Sequence, residues 1–164
     1  MSENIEKNNT EIKPPALHLS DGEKLQIIGF KLGREEFGVD IFSVKEIIRL
    51  SIMTRVPNAP TFIVGVVNMR GKVIPIIDLS IRFGLPSSKF SNIEKKIIVV
   101  EHKNKTVGLL VDAVNEVINI DKSQTETPPP MVAGINSDYI TAIAKLDDKL
   151  LILLEVAKIL VLTK

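Results

Sequence analysis

The sequence has no cysteine and no tryptophan, and only two histidines and one tyrosine, among its 164 residues. Lacking cysteine, it has no disulfide, no thiolate nucleophile and no thiolate-bound metal, which suits a reducing compartment. A histidine metal site would need both histidines plus carboxylates. Of the two, His18 falls in a polar leading segment and His102 next to Glu101 at the end of an apolar run. Covalent catalysis would fall to Ser, Thr, Lys or a carboxylate. An excess of charge of one sign is also missing, with 21 Lys+Arg against 20 Asp+Glu. Nucleic-acid binders draw much of their affinity from neutralised phosphates, so this balance argues against one. Long apolar runs are absent too. The longest stretch, Leu150 to Leu162, is interrupted by Glu155 and Lys158 and is shorter than the roughly 20 residues that span a bilayer. Residues 1–22 are polar, of mixed charge and broken by Pro14-Pro15. They have no signal-peptide core and are expected to form a disordered tail. The chain therefore reads as cytoplasmic, with no direct membrane insertion.

What the chain does have is 23 Ile and 16 Val. β-branched side chains suit a pleated surface and are stiff in helices. Short apolar runs recur between turn signals: Leu25–Leu32, Phe37–Ile41, Ile47–Ile52, Ile63–Val67, Val73–Ile77, Ile97–Val100, Val107–Val111, Val117–Ile120, Ile140–Leu146 and Leu150–Leu154. Many short strands with few long helical patterns predict an all-β barrel or sandwich. Helical turns are expected at Phe42–Glu46, from Asp78 as N-cap to Phe83 before Gly84, and in a C-terminal helix over about 155–162.

An internal repeat underlies this pattern. Shifted by 70 positions, Gly38 to Ile48 lies on Gly108 to Ile118 without a gap, and Ile27-Ile28 lies on Ile97-Ile98. Further on the shift becomes 77, so that Val66 to Leu79 lies on Ile143 to Val156. Each half, about 25–85 and 95–157, is expected to carry five strands with a helical turn between the second and third. Five short, strongly curled strands make a small barrel, because closure hides the sheet edges. Two barrels this small would be marginal alone and should bury apolar surface against each other.

No catalytic constellation stands out. The sequence has no Gly-rich phosphate loop, no nucleophile elbow and no His pair at helical spacing. Asp78 and Glu155 occupy equivalent positions after the last strand of each half and read as helix caps. Asp147-Asp148 reads as a hairpin turn. The segment Val66 to Leu85 carries the most information. Gly71 allows a positive φ in a tight turn, Pro75 implies an edge or bulged strand, and Arg70 stands at the hairpin tip, a solvated turn position, or an ion-pair or partner-contact position if the fold brings it beside Glu46.

Phe62-Ile63-Val64-Gly65-Val66-Val67-Asn68-Met69-Arg70-Gly71, then Val73-Ile74-Pro75-Ile76-Ile77-Asp78-Leu79, resembles the CheW-type coupling proteins of bacterial chemotaxis. Phe37 to Ile41, Val44 to Ile47 and Val107 to Asp112 agree with that family. The resemblance covers about residues 25–160 and implies a CheW-like fold over 23–162: two pseudo-symmetric five-stranded SH3-like β-barrels sharing a core, with a few short helices. It implies a stand-alone, non-enzymatic adaptor without cofactor or metal, linking chemoreceptor cytoplasmic helical hairpins to the regulatory domain of the histidine kinase CheA. Such an adaptor is recruited to membrane-associated receptor arrays. The resemblance places the receptor helix against Ile41, Val44, Glu46, Val114 and Val117, an apolar helix-in-groove mode. It assigns Gly65, Arg70, Gly71 and Met131 to kinase binding or integrity, Met131 standing where the family has an aromatic. The alternative from the barrel pattern alone is a small nucleic-acid-binding module.

Overall fold

The computed structural model describes residues 24–86 and 94–161. The strands in chain order are β1 (Lys24–Leu32), β2 (Glu35–Asp40), β3 (Val44–Arg49), β4 (Ile63–Met69), β5 (Lys72–Asp78), β6 (Lys96–His102), β7 (Lys105–Val111), β8 (Ala113–Asp121), β9 (Thr125–Glu126), β10 (Met131–Val132), β11 (Ile135–Asn136), β12 (Ile140–Leu146) and β13 (Lys149–Leu154). Each of the ten apolar runs lies on a strand, although the run Ile47–Ile52 belongs to a strand that starts and ends earlier. The three two-residue strands β9, β10 and β11 were not expected. The tail over 1–22, with His18, lies outside the described residues.

One helical turn moves for a local reason. The Asp40 carboxylate accepts the Phe42 N–H at 2.9 Å, so the turn is wound over Ile41–Ser43 and the chain is extended again by Val44. The helix Leu79–Phe83 keeps its expected ends, with Asp78 accepting from Ile81 N–H and Gly84 left-handed at φ 71°. The C-terminal helix covers only Val156–Ile159. Glu155 holds its N-cap position but does not cap it with its side chain. One methylene longer than Asp, its carboxylate instead accepts the Thr141 hydroxyl at 2.8 Å.

Beside the small β10-β11 hairpin, two large sheets form, in the orders β3-β6-β7-β5-β4 and β8-β1-β2-β13-β12-β9. We call them barrel one and barrel two. The first corrects the simplest picture of the repeat: neither barrel is built from one half alone. The β1–β2 hairpin of the first half lies in barrel two, and the β6–β7 hairpin of the second half lies in barrel one. The halves exchange equivalent hairpins, so the repeat itself survives in full. Replacing each strand of the first order by its repeat partner gives β8-β1-β2-β13-β12, the second order without β9.

The registers repeat as well. Ile76 pairs with Gly108 in the parallel β5–β7 ladder, and their equivalents Leu153 and Gly38 pair between β13 and β2. Bulges recur between Ile63 and Gly65 on β4 and between Ile140 and Ala142 on β12. Barrel one gains a bridge between Thr54 and Val66, where barrel two has Glu126 against Ile143. Pro75 lies neither on an edge strand nor at the bulged position. It sits in the inner strand β5, one residue before the parallel ladder with β7 begins at Ile76, where its missing N–H removes no pairing to β7.

Three apolar cores follow from strand alternation. Ile97 and Val99 point into barrel one with Ile74 and Ile76. Ile27, Leu151 and Leu153 fill barrel two. The alternate side chains, among them Ile98, Val100, Ile28, Phe30, Ile77 and Ile152, form the largest cluster, which the two barrels share. Both faces of these strands are covered, which explains the unbroken apolar runs.

Candidate functional site

The chain crosses between the barrels at equivalent points: Ile41–Ser43 leads from β2 to β3, and Asp112 leads from β7 to β8. The Asp112 N–H donates to the Lys31 carbonyl at 3.0 Å, and its buried carboxylate accepts the Gly33 N–H at 2.6 Å. The second crossover is thereby tied to the β1–β2 turn.

Just beyond each crossover the strand is bulged. Val44 faces Val100 and Ile47 faces Ile98. Val114 faces Phe30 and Val117 faces Ile28. The partners are two residues apart on β6 and β1, and all four belong to the shared core. Directly opposed side chains share a sheet face, so the extra residue in each bulge puts Val44 and Ile47 on one face of β3, and Val114 and Val117 on one face of β8. Val44, Val114 and Ile41 pack on the shared core, whereas Ile47 and Val117 stand further out at 39% and 49% exposure. The result is an apolar row along each barrel where the shared core reaches solvent. Sequence reasoning missed Ile47, although the shift of 70 from Val117 pointed to it.

Glu46 lies on the opposite face of β3, across from Val99. Its Oε1 accepts from Arg70 Nη2 at 2.9 Å, with the arginine 76% exposed. The structure thus joins the two residues that the sequence left 24 positions apart. Arg70 and Gly71 both take positive φ, 53° and 84°, the pattern of a type I′ turn, and Asn68 Oδ1 accepts the Gly71 N–H. On the neighbouring strand pair, Lys45 donates to Glu101 at 2.9 Å. That hydrogen bond, and then the lysine charge, lower the Glu101 pKa.

Gly65 is buried at the far end of β4 from Arg70, roughly 16 Å away at about 3.3 Å per strand residue, so the two do not share one barrel end. A Cβ at Gly65 would lie 2.8 Å from Met53 Cβ and 3.0 Å from the Thr54 carbonyl oxygen. Met131 is exposed on the small β10–β11 hairpin of the second half, next to the left-handed turn Ala133-Gly134.

No metal-binding group of His, Asp and Glu occurs among the described residues. Asp78, Glu155 and His102 serve in different places, as a helix cap, a threonine acceptor and the end of β6. Stacking single-stranded bases needs exposed aromatics, and among the described residues only Phe42 is a strongly exposed one. No helix among them is long and apolar enough to cross a membrane.

Against known proteins, the model of the CheW-like domain matches residues 26–164. The chemotaxis protein CheW of Helicobacter pylori is 36% identical over 138 residues, 84% of this chain and 82% of that protein. The chemotaxis protein CheW of Klebsiella aerogenes is 35% identical over 131 residues, 80% of this chain and 78% of that one. Among solved structures, the scaffolding protein TtCheW from Thermoanaerobacter tengcongensis superposes with a TM-score of 0.75 at 42% identity, covering 84% of this chain and 86% of that one.

Proposed function

This chain belongs to the CheW-like family, and from that premise we propose that it is a non-catalytic adaptor of chemotaxis, coupling chemoreceptor cytoplasmic tips to the histidine kinase CheA. The observation that carries the reading is the matched pair of apolar rows, Val44 and Ile47 on one barrel and Val114 and Val117 on the other, bordering the core that the barrels share. An amphipathic helix of the receptor hairpin lays its apolar face between these rows, with Ile41 at the crossover. Affinity in this mode comes from apolar anchors at helical spacing rather than from charge, which fits a near-neutral chain.

Glu46, on the other face of β3 from this row, forms an ion pair with Arg70, which assigns it to support of the strand that carries the row rather than to the groove itself. The kinase regulatory domain is assigned to other parts of the surface, the Arg70-Gly71 turn and the exposed Met131 hairpin, with Gly65 acting through barrel closure. The CheW-like domain spans about 23–162 and works in the cytoplasm, recruited to receptor arrays.

Co-sedimentation with receptor-tip fragments and with CheA tests the proposal. Binding to both, with the receptor arm lost in Val44→Asp and Val117→Asp variants that remain folded, is the expected result. Failure of the wild-type chain to bind either partner would remove the adaptor reading.

A further inference from the structure

Among the described residues, Phe30, Phe37, Phe62, Phe83 and Tyr139 gather at the boundary between the barrels. Phe30 stacks on Phe37 with ring centroids 5.7 Å apart, Phe37 on Phe83 at 6.2 Å, and Phe83 meets Tyr139 at 5.4 Å. At the end of this series lies the Arg82 guanidinium, 4.1 Å from the Phe62 ring centroid and 5.4 Å from that of Tyr139. Its Nη2 also donates to the Val161 carbonyl oxygen at 2.9 Å, just past the C-terminal helix.

Phe62 and Tyr139 are repeat partners, 77 positions apart. Each directly precedes or enters the strand that starts the last hairpin of its barrel. The Phe62 carbonyl accepts the Asp78 N–H and the Tyr139 carbonyl accepts the Glu155 N–H, both at 2.8 Å. Arg82 therefore contacts the same structural position of both barrels at once. Its own repeat partner is Ile159, which is fully buried, so this cation occurs once in the pair. A guanidinium suits the place: it is planar and stacks on aromatic faces while its edge still donates hydrogen bonds, whereas a lysine ammonium is attracted to a ring face only as a point charge.

We propose that Arg82 is the positioning residue of the two-barrel unit, its guanidinium held by Phe62 and Tyr139 so as to fix the angle between the barrels and hence the spacing of the Val44–Ile47 and Val114–Val117 rows. The link is physical: Phe30, at the other end of the aromatic series, is the residue that Val114 faces across β1 and β8. The effect on barrel geometry stands by itself, and the effect on helix binding rests on the adaptor reading above.

The absence of cysteine makes the test clean. Spin labels at Lys105→Cys on barrel one and Asp148→Cys on barrel two report the inter-barrel distance in wild-type, Arg82→Met, Arg82→Lys and Tyr139→Leu backgrounds. The wild-type background should give one narrow distribution, and Arg82→Met and Tyr139→Leu a broadened or displaced one, with the β-sheet circular dichroism retained. Should Arg82→Met fail to fold, Arg82→Lys and Tyr139→Leu carry the measurement. A receptor-tip helical hairpin, titrated in parallel, should bind Arg82→Met about tenfold more weakly if the binding-competent spacing falls to about a tenth of the population. Folded variants with the wild-type distance distribution would overturn the positioning role. Altered distances with unchanged helix affinity would overturn only its consequence for the groove. A wild-type chain that binds no receptor tip would remove the adaptor reading, while the distances still decide the role of Arg82.

Discussion

Gly65 shows how one missing side chain bears on a binding surface without touching a partner. Two hydrogen bonds join Thr54 and Val66, at 2.8 and 3.0 Å, and this bridge brings backbone within contact of the Gly65 Cα. The neighbours that a methyl group would meet are Met53 Cβ and the Thr54 carbonyl oxygen, neither of which can rotate away as a side-chain tip can. Gly65→Ala should therefore destabilise the protein by about 1–3 kcal/mol, the usual cost of overpacking, with a matching fall in the urea midpoint. Loss of partner binding only in proportion to unfolding marks Gly65 as an integrity residue. Arg70 is the opposite case. Its ion pair with Glu46 is largely solvated, and exposed pairs are worth about 0.2–1 kcal/mol. A double-mutant cycle over Glu46→Ala and Arg70→Ala should yield a coupling of that size in urea unfolding. Titration calorimetry of Arg70→Ala with the kinase regulatory domain should then show a loss of binding well beyond the stability change. Equal losses in both measurements would reduce the pair to a structural role.

Repeat-equivalent elements are not energetically equivalent, as the two short helices show. Asp78 caps its helix through a side-chain acceptor, while Glu155 in the same position turns its carboxylate to Thr141. Asp78→Ala should cost about 1 kcal/mol, the typical worth of an N-cap, and Glu155→Ala clearly less, because it removes an exposed hydroxyl contact rather than a cap. Thermal unfolding of the two variants checks the order, and equal losses would contradict it. The sequence revealed both helix starts but not this difference, because a carboxylate at the N-cap reads the same whichever way it turns. The main strands were legible for a related reason: Ile/Val runs between turn residues have enough length to declare themselves. β9, β10 and β11 have two residues each, too few for any periodicity. The bulges in β3 and β8 were also hidden. Yet they decide the candidate site, because an extra residue places Val44 and Ile47 on one face where strict alternation would set them on opposite faces. Arg82 went unnoticed because a lone arginine on a short helix carries no pattern, although two aromatics at the repeat spacing, Phe62 and Tyr139, marked the place it occupies.

At the scale of the molecule, the repeat was visible in the sequence and the exchange of hairpins was not, for a reason of symmetry. Each half carries a hairpin with the same pairing surfaces, so β1–β2 fits next to β13 as well as β6–β7 fits next to β5, and no residue pattern distinguishes the two closures. Connection geometry decides. Only three residues, Ile41–Ser43, separate β2 from β3, and Asp112 alone separates β7 from β8, so each hairpin is followed by a step into the other sheet. The core shared across these steps bears on how the protein comes apart. Opening one barrel removes a hairpin whose next strand lies in the other barrel, and it exposes the shared cluster that contains Phe30, Phe37, Ile98 and Leu109, all fully buried. Each barrel has its own strands, so the coupling comes from this shared cluster, which neither barrel covers once the other is lost. Unfolding should therefore be one transition despite the two-barrel architecture, with calorimetric and van't Hoff enthalpies equal and with far-UV dichroism and Tyr139 fluorescence changing together. Two resolved transitions, or a stable species with only one barrel protected from hydrogen exchange, would mean that the barrels are independent units. The single tyrosine in the sequence lies at the boundary between them, next to Phe83 and Arg82, so its fluorescence reports separation of the barrels directly. A tyrosine change that preceded loss of sheet would identify the boundary, rather than either barrel, as the first part to open.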